Sequence, residues 1–455
     1  MKNKKGQGGI QTKLVSGLFW VLLANLLVKP FWILGIEADV QNAVGDEAYG
    51  FYYALFSFSY IFNILLDMGV TNFNTRNIAQ NPQLITKHLS GILGVKVCLL
   101  GLYLVVTFTV GLLMGYGSDE FRLLALLTLC QFLNSLILYL RSNFEGLLLF
   151  KWDSLFSVFD RVLMIVICGC LLWGPFSGQF TIYHFVCAQL AAYTVTATLA
   201  FVVIARKAGL RRLRWDWRFF LVILRKSAPF ALLVLLMASY NRIDPILLRS
   251  MAGDADAGVY AGAFRLLDAL TMVAYLVSVP LLPVFSKLCR EIKTTASANC
   301  QLENAVRMVF GPLMLFAVVA AVAGAIFAEP LMQWRYHEHF ATYVPVFRVV
   351  IFGIIPICNT YIFGTLLTAG GYLRHLNIFA ATTLVLNIVV NLLLIPRFGA
   401  IGSAWASLTA QSFMAVAQLL LAIRLFRLHP RAFMPPKPNN IYNTITLMIK
   451  TKNNE

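Results

Sequence analysis

Apolar runs of about twenty residues recur from one end of this chain to the other, separated by short polar joints. A run of that length crosses bilayer hydrocarbon as a single helix, and only helices and closed barrels satisfy their backbone groups there. Twelve such spans are expected, at 14–36, 48–71, 89–114, 121–141, 153–174, 180–204, 227–249, 257–285, 305–328, 345–369, 375–395 and 401–427. Charged residues make up 13% of the chain, about half the share of an ordinary soluble protein. The chain is read as an all-α polytopic membrane protein. The stretch from Leu14 to Ile36 follows a basic start, but it is too long for a signal-peptide core and no small-residue cleavage site follows. It is read as a retained first span.

Alternate joints differ sharply in positive charge. The set that begins with the N-terminal tail carries 26 Lys and Arg, and the other set carries three: Arg249, Arg335 and Arg397. The positive-inside rule makes the first set cytoplasmic, with both termini on that side. The expected location is a bacterial inner membrane. The net charge of +17 is spread between spans rather than gathered on one domain, so anionic lipid explains it and nucleic acid does not. Joints on the opposite face are short and partly acidic, with no room for a catalytic domain there.

Two segments echo each other. Gly45-Asp46-Glu47-Ala48-Tyr49-Gly50-Phe51-Tyr52 joins spans 1 and 2, and Gly253-Asp254-Ala255-Asp256-Ala257-Gly258-Val259-Tyr260 joins spans 7 and 8, at an offset of 208 residues. Glycine permits the tight turn in each copy, and the Asp falls where a helix N-terminus favours negative charge. Six spans separate the copies, so both lie on the outer face and the repeat is parallel. The expected organisation is an N-terminal lobe (1–205), a basic cytoplasmic linker (206–226), a C-terminal lobe (227–428) and a polar cytoplasmic tail (429–455). The linker holds Arg211-Arg212-Leu213-Arg214-Trp215-Asp216-Trp217-Arg218, a basic interfacial anchor with two tryptophans.

Familiar reaction motifs are missing: no phosphate-binding loop, dinucleotide-binding glycines, zinc-protease pair or nucleophile elbow is found. No catalytic residue and no cofactor are assigned. The eight cysteines lack metal spacing. His337-Glu338-His339 offers ligands two residues apart on a joint, a poor site, so no metal is assigned.

The remaining chemistry lies in charges placed inside spans, which cost a few kcal/mol on insertion scales and face a partner or a wet cavity. Lys29 falls in span 1, Arg242 and Asp244 in span 7, and Arg265 and Asp268 in span 8, all placed in the outer half of the bilayer. Two readings remain open, a polar cavity between the lobes or internal ion pairs. Residues two apart on a helix do not face each other, so pairing fits Arg242 and Asp244 less well. Lys96, Asp160 and Arg161 are secondary candidates nearer the cytoplasmic side. Arg141 and Glu145 are expected to pair within one helix, and Asp67 to cap or pair at the inner interface. Pro30, next to Lys29, is expected to kink its helix.

Several motifs resemble one family. They are Asp244-Pro-Ile-Leu-Leu, then Gly253 to Phe264, then Pro280-Leu-Leu-Pro283-Val-Phe-Ser286-Lys. Asp67-Met-Gly69-Val-Thr with Arg76-Asn-Ile-Ala, and Asn387 to Gly402 running into Ser403-Ala-Trp-Ala, belong to the same pattern. Their order resembles the polysaccharide-biosynthesis (O-antigen or oligosaccharide) branch of the multidrug/oligosaccharidyl-lipid/polysaccharide flippase superfamily. The resemblance implies two six-helix lobes around a central cavity that work by alternating access. The implied cargo is an undecaprenyl-diphosphate-linked glycan, such as a lipopolysaccharide repeat unit, flipped to the periplasmic leaflet. A cationic cavity formed by Lys29, Arg242 and Arg265 would receive it, with Asp244 or Asp268 coupling transport to an ion gradient. Membrane lipid, a polysaccharide polymerase and other assembly proteins are the implied partners.

Two rival classes are weighed against this. A multidrug extruder would want acidic, apolar walls for cationic drugs, whereas this cluster leans positive. A membrane glycan polymerase or ligase would need a long outer loop carrying catalytic groups.

Overall fold

The computed structural model describes residues 25–430 apart from 26, 72, 73, 76, 77, 79, 80, 82, 84, 148, 175, 176, 209–216, 279, 280, 292–296, 337 and 338. Most of expected span 1, the Arg211–Trp215 part of the linker, Arg76 with the residue after it, His337-Glu338 and the tail lie outside those residues.

The described residues are helical, with no strand among them. In order they form a π-helical turn at Trp32–Ile36, α1 (Glu37–Val44), α2 (Asp46–Ile61) with a 3-10 extension Phe62–Leu66, α3 (Ile85–Leu113), α4 (Ser118–Gly146), α5 (Phe150–Phe156), α6 (Phe159–Trp173) and α7 (Ile182–Ala208). There follow α8 (Trp217–Ala252), α9 (Asp254–Ser278), α10 (Leu281–Glu291), α11 (Ser297–Ile326), α12 (Ala328–Arg335), α13 (Phe340–Val350), α14 (Ile354–Ala369) and α15 (Leu373–Phe426). Among the described residues, ten helical stretches are long and apolar enough to cross a membrane. One of them, α15, runs for 54 residues and is two helices joined at Gly399, whose φ of 52 is not helical. It therefore holds two of the expected spans, and the first expected span begins at Leu14, before the described residues.

Local chemistry accounts for the breaks. Gly45 and Gly253 take φ of 82 and 100, a region costly for any side chain. Asp46 and Asp254 stand in the first turns of α2 and α9, where the unsatisfied amides and helix dipole favour carboxylates. The Asp67-Met-Gly69 motif ends the 3-10 extension through left-handed Met68 and Gly69, with φ of 42 and 82. Helix geometry also departs from α two residues after Pro30, as the π-helical turn at Trp32. Such turns are rare and are frequently found at functional sites.

The chain divides into two compact units. The first comprises Met1–Arg265 with Asn391–Ala400, and the second Leu266–Val390 with Ile401–Glu455. In the first, α4 packs along α7 and α2 along α8. Its larger core gathers Trp32, Tyr52, Met164 and Phe185. Trp32 stacks on Phe185 at 6.1 Å, and Tyr52 meets the same ring edge-on at 5.3 Å. A second core holds Tyr139, Phe144 and Phe156. In the second unit, α11 packs on α14 through Phe310 and Phe363, 5.8 Å apart. There Asn359 donates to the Ala415 carbonyl at 2.8 Å.

Two expectations about charge pairs are settled here. Asp67 does pair, with Lys96 at 2.8 Å. Arg141 is corrected: its ion pair is with Asp153 at 2.7 Å, not with Glu145. Glu145 accepts instead from the Thr75 hydroxyl at 3.3 Å. The short helix α5 carries Asp153 to within reach of Arg141, and an intrahelical pair offers only a few tenths of a kcal/mol to compete with it.

Candidate functional site

The two copies of the repeated segment meet within the first unit. A Cβ on Gly50 of α2 would overlap the carbonyl of Asp254, and a Cβ on Gly258 of α9 would overlap the carbonyl of Asp46. Each copy thus presses its second glycine on the first acidic residue of the other. Glycine alone allows backbones this close, as small residues do between membrane helices.

Gln41, one turn before Gly45, ties the crossing together. It is 1% exposed. Its amide nitrogen donates to Asp46 Oδ1 and to the Gly258 carbonyl, both at 2.9 Å. Its oxygen accepts from Arg265 Nη2 at 2.8 Å. Arg265 is itself only 5% exposed, and its guanidinium lies 4.9 Å above the Tyr49 ring. A charge-assisted hydrogen bond and a ring face of this kind help to make burial of a cation bearable.

Arg242 lies on α8. Its Nη1 donates to the Tyr53 hydroxyl at 3.1 Å, and the guanidinium lies 6.0 Å from the Tyr53 ring centre and 5.4 Å from that of Tyr60. Asp244, two residues on, is 1% exposed. It accepts from Tyr260 Oη at 3.1 Å and from Asn391 Nδ2 at 2.7 Å. Asn391 belongs to the segment of α15 that joins the first unit. Tyr260 and Asn391 thus bring two neutral donors to a buried carboxylate.

Lys29 is placed elsewhere. The expectation put it in the outer half of its span, level with Arg242 and Arg265. The helical run instead continues eight residues past Ile36, to Val44. Lys29 therefore stands fifteen residues, about 22 Å, from the end of that run and about 18 Å along the axis from Gln41. It lies within electrostatic reach of Arg161, Arg141 and Asp160. Asp160 and Arg161 form an ion pair at 3.4 Å. Arg161 also donates to Tyr193 Oη at 3.1 Å and sits 5.7 Å from the Trp32 ring. Lys29, Asp160 and Arg161 thus share one neighbourhood, whereas Arg242, Asp244 and Arg265 find partners on α1, α2, α9 and α15.

Lys96 has a closed set of partners. The ammonium, on a residue 1% exposed, donates to the Leu66 carbonyl at 2.9 Å, and to Asp67 and Ser135 at 2.8 Å each. All three protons have acceptors, which ties the end of the 3-10 extension to α3 and α4. Asp268 falls in the second unit, half-buried on α9, with its carbonyl accepting from Thr271 Oγ1 at 2.8 Å.

Sequence reasoning missed three participants. Gln41 stands among polar residues, Glu37, Asp39 and Asn42, with no motif to single it out. Asn391 lies inside a quoted motif, but its partner is 147 residues away. Arg249, read as an outer-joint cation, bridges Glu120 at 2.9 Å and Asp254 at 2.6 Å while stacking 4.6 Å from the Phe51 ring.

Comparison with known proteins adds to this geometry. The family described as "Polysaccharide biosynthesis protein" matches residues 14–289. An uncharacterised membrane protein of Methanocaldococcus jannaschii is 24% identical over 408 residues, covering 86% of this chain and 93% of that protein. Among solved structures, the lipid II flippase MurJ in an inward closed conformation aligns with a TM-score of 0.67 at 14% identity, over 90% of this chain and 89% of that one. An inward-facing multidrug resistance MATE family transporter of the MOP superfamily aligns with a TM-score of 0.62 at 14% identity, over 90% and 94%. A MOP superfamily transporter from Pyrococcus furiosus, described as having a binding pocket of reversed polarity, aligns with a TM-score of 0.57 at 14% identity, over 92% and 95%. At such identities the likeness to these structures concerns the fold.

Proposed function

Because the chain belongs to the polysaccharide biosynthesis protein family, we propose that it is a flippase for a polyprenyl-diphosphate-linked oligosaccharide. It carries a polysaccharide or O-antigen repeat unit from the cytoplasmic to the periplasmic leaflet of a bacterial inner membrane. It works by alternating access of the lobes 1–205 and 227–428 about the linker 206–226, and no covalent chemistry is involved. The observation that carries the reading is a pair of guanidiniums, Arg242 and Arg265, held on aromatic rings inside membrane-spanning helices. Cations inside membrane helices are costly and mark functional sites by default.

A diphosphate in this space meets cations that a low dielectric makes effective, and arginine offers paired donors suited to phosphate oxygens. Lys29, beside Asp160 and Arg161, is the first cation met from the cytoplasmic side. The polyprenyl tail stays in lipid. On this reading the crossing of α2 and α9 shuts the outer side, and Gln41 holds Arg265 in place. An anionic headgroup competes with Gln41 for that guanidinium, loosening the crossing as the cargo arrives. Asp244 couples the cycle to an ion gradient, with Asp268 as a second coupling candidate. The released glycan passes to a polymerase and other assembly proteins.

The test is translocation of an undecaprenyl-diphosphate-linked oligosaccharide in proteoliposomes carrying the purified chain. Arg242→Ala and Arg265→Ala are each expected to abolish it. Unimpaired transport in both variants would sink the reading.

A further inference from the structure

Arg242 lies ten residues, about 15 Å, from the end of α8 at the Gly253 turn. That places it near mid-depth of a hydrocarbon core about 30 Å thick. A guanidinium at such depth almost always faces protein or a water-filled space rather than lipid tails. Arg242 is half-buried and its neighbour Asn241 is exposed, and polar groups at this depth are costly against lipid tails, which favours a wet space on this side of α8.

The facing side of α2 is a ladder of rings. Tyr52 and Phe56 stack at 5.8 Å, and Phe56 and Tyr60 meet at 6.0 Å with a 30° tilt. Exposure rises along it: Tyr49 and Tyr52 are 2% and 3% exposed, whereas Tyr60 is 37% exposed. The first two rings are core. Tyr60 is not, and it lies beside the guanidinium, 5.4 Å from ring centre to cation. The open end of the ladder therefore shares its space with the cation.

We infer that Tyr53, Phe56 and Tyr60 form a sugar-stacking wall, on which the pyranose joined to the diphosphate lies flat against Tyr60 while Arg242 holds the phosphate. The C–H face of a pyranose carries slight positive charge and is apolar, so it matches the negative face of an aromatic ring. The same ring quadrupole seats Arg242. A cationic ligand would meet repulsion from Arg242 at this wall. The inference rests on the flippase reading above and adds a residue-level source of preference for glycosylated cargo.

Two probes separate the inference from that reading: undecaprenyl diphosphate, and undecaprenyl diphosphate carrying N-acetylglucosamine. Their dissociation constants are measured on the full chain in lipid nanodiscs by native mass spectrometry. The sugar-bearing probe is expected to bind wild type more tightly than the bare one. Tyr60→Leu is expected to weaken the sugar-bearing probe roughly fivefold or more, the scale of one stacking contact, and to leave the bare probe unchanged. Tyr60→Phe, which keeps the ring, keeps the preference, and Arg242→Ala weakens both probes. If Tyr60→Leu weakens both probes equally, or neither, the wall is overturned, while Arg242-dependent binding of the bare probe leaves the flippase reading standing. Failure of wild type to bind either probe overturns both.

Discussion

Gly50 and Gly258 stand in reciprocal positions, each against the backbone of the acidic residue that opens the other's helix. They are 208 residues apart in the chain and occupy the same place in the two copies of the repeat. Three predictions follow from contacts within the first unit and one from the expected orientation.

Gly50→Ala and Gly258→Ala are each expected to force α2 and α9 apart at their N-terminal turns. Overpacking of this kind costs about 1–3 kcal/mol. Because both variants act on one crossing, the double variant is expected to lose less than the sum of the singles. Thermal unfolding of the four proteins in detergent measures it. Strictly additive losses would show that the two contacts are independent.

Lys96 and Asp67 are expected to be more sensitive to one change than to two. Asp67→Asn leaves a buried ammonium without its counter-charge, and breaking such a pair costs about 3–5 kcal/mol. Replacing both residues, as Lys96→Met with Asp67→Asn, removes the buried charge and recovers part of that loss. Chemical denaturation of the single and double variants is the check, with a double variant no better than Asp67→Asn as the contrary result.

Asp244→Asn keeps the size of the side chain and the Tyr260 and Asn391 donors but removes the charge. Transport is expected to become independent of an imposed ion gradient and to slow markedly, while headgroup binding at Arg242 persists. Asn391→Ala, which deletes one donor to the carboxylate, is expected to shift the ion dependence rather than abolish it. Proteoliposome uptake with and without proton and sodium gradients distinguishes the two. Unaltered gradient dependence in Asp244→Asn would remove this residue from coupling.

Cys289 lies at the end of α10, outside the membrane-crossing helices. Partial burial pushes its thiol above the usual value, and the thiolate is the reacting form. In a variant that keeps Cys289 as its sole cysteine, a membrane-permeant maleimide is expected to label intact cells and an impermeant one is not. The labelling rate is expected to keep rising with pH beyond the range of a free thiol, since the protonated form persists to higher pH. Labelling by the impermeant reagent would reverse the orientation.

The parts of the fold that depend on local chemistry were legible. Span length, the two glycine turns and the helix-opening aspartates each follow from a few neighbouring residues. The depth of Lys29 was not, because Glu37, Asp39 and Gln41 look like the start of a polar joint. They continue the helix instead, and Gln41 is buried through partners on α2 and α9 that only the fold supplies. Asp244 and Asn391 were both visible as members of motifs, yet their contact is a tertiary one without a periodic signal. The same holds for Arg249, whose partners Glu120 and Asp254 come from separate helices. Hydropathy sorts residues by their solvent. It is silent on which buried polar groups find each other.

The glycine crossing also bears on how such a chain can change over generations. A side chain acquired at Gly50 cannot be accommodated within its own repeat, because the atoms it strikes belong to the other copy. The two positions are thus constrained by the same crossing, although they lie 208 residues apart in the chain. An insertion that shifts the register of either segment would lift its glycine off the opposing carbonyl and so disturb both contacts at once.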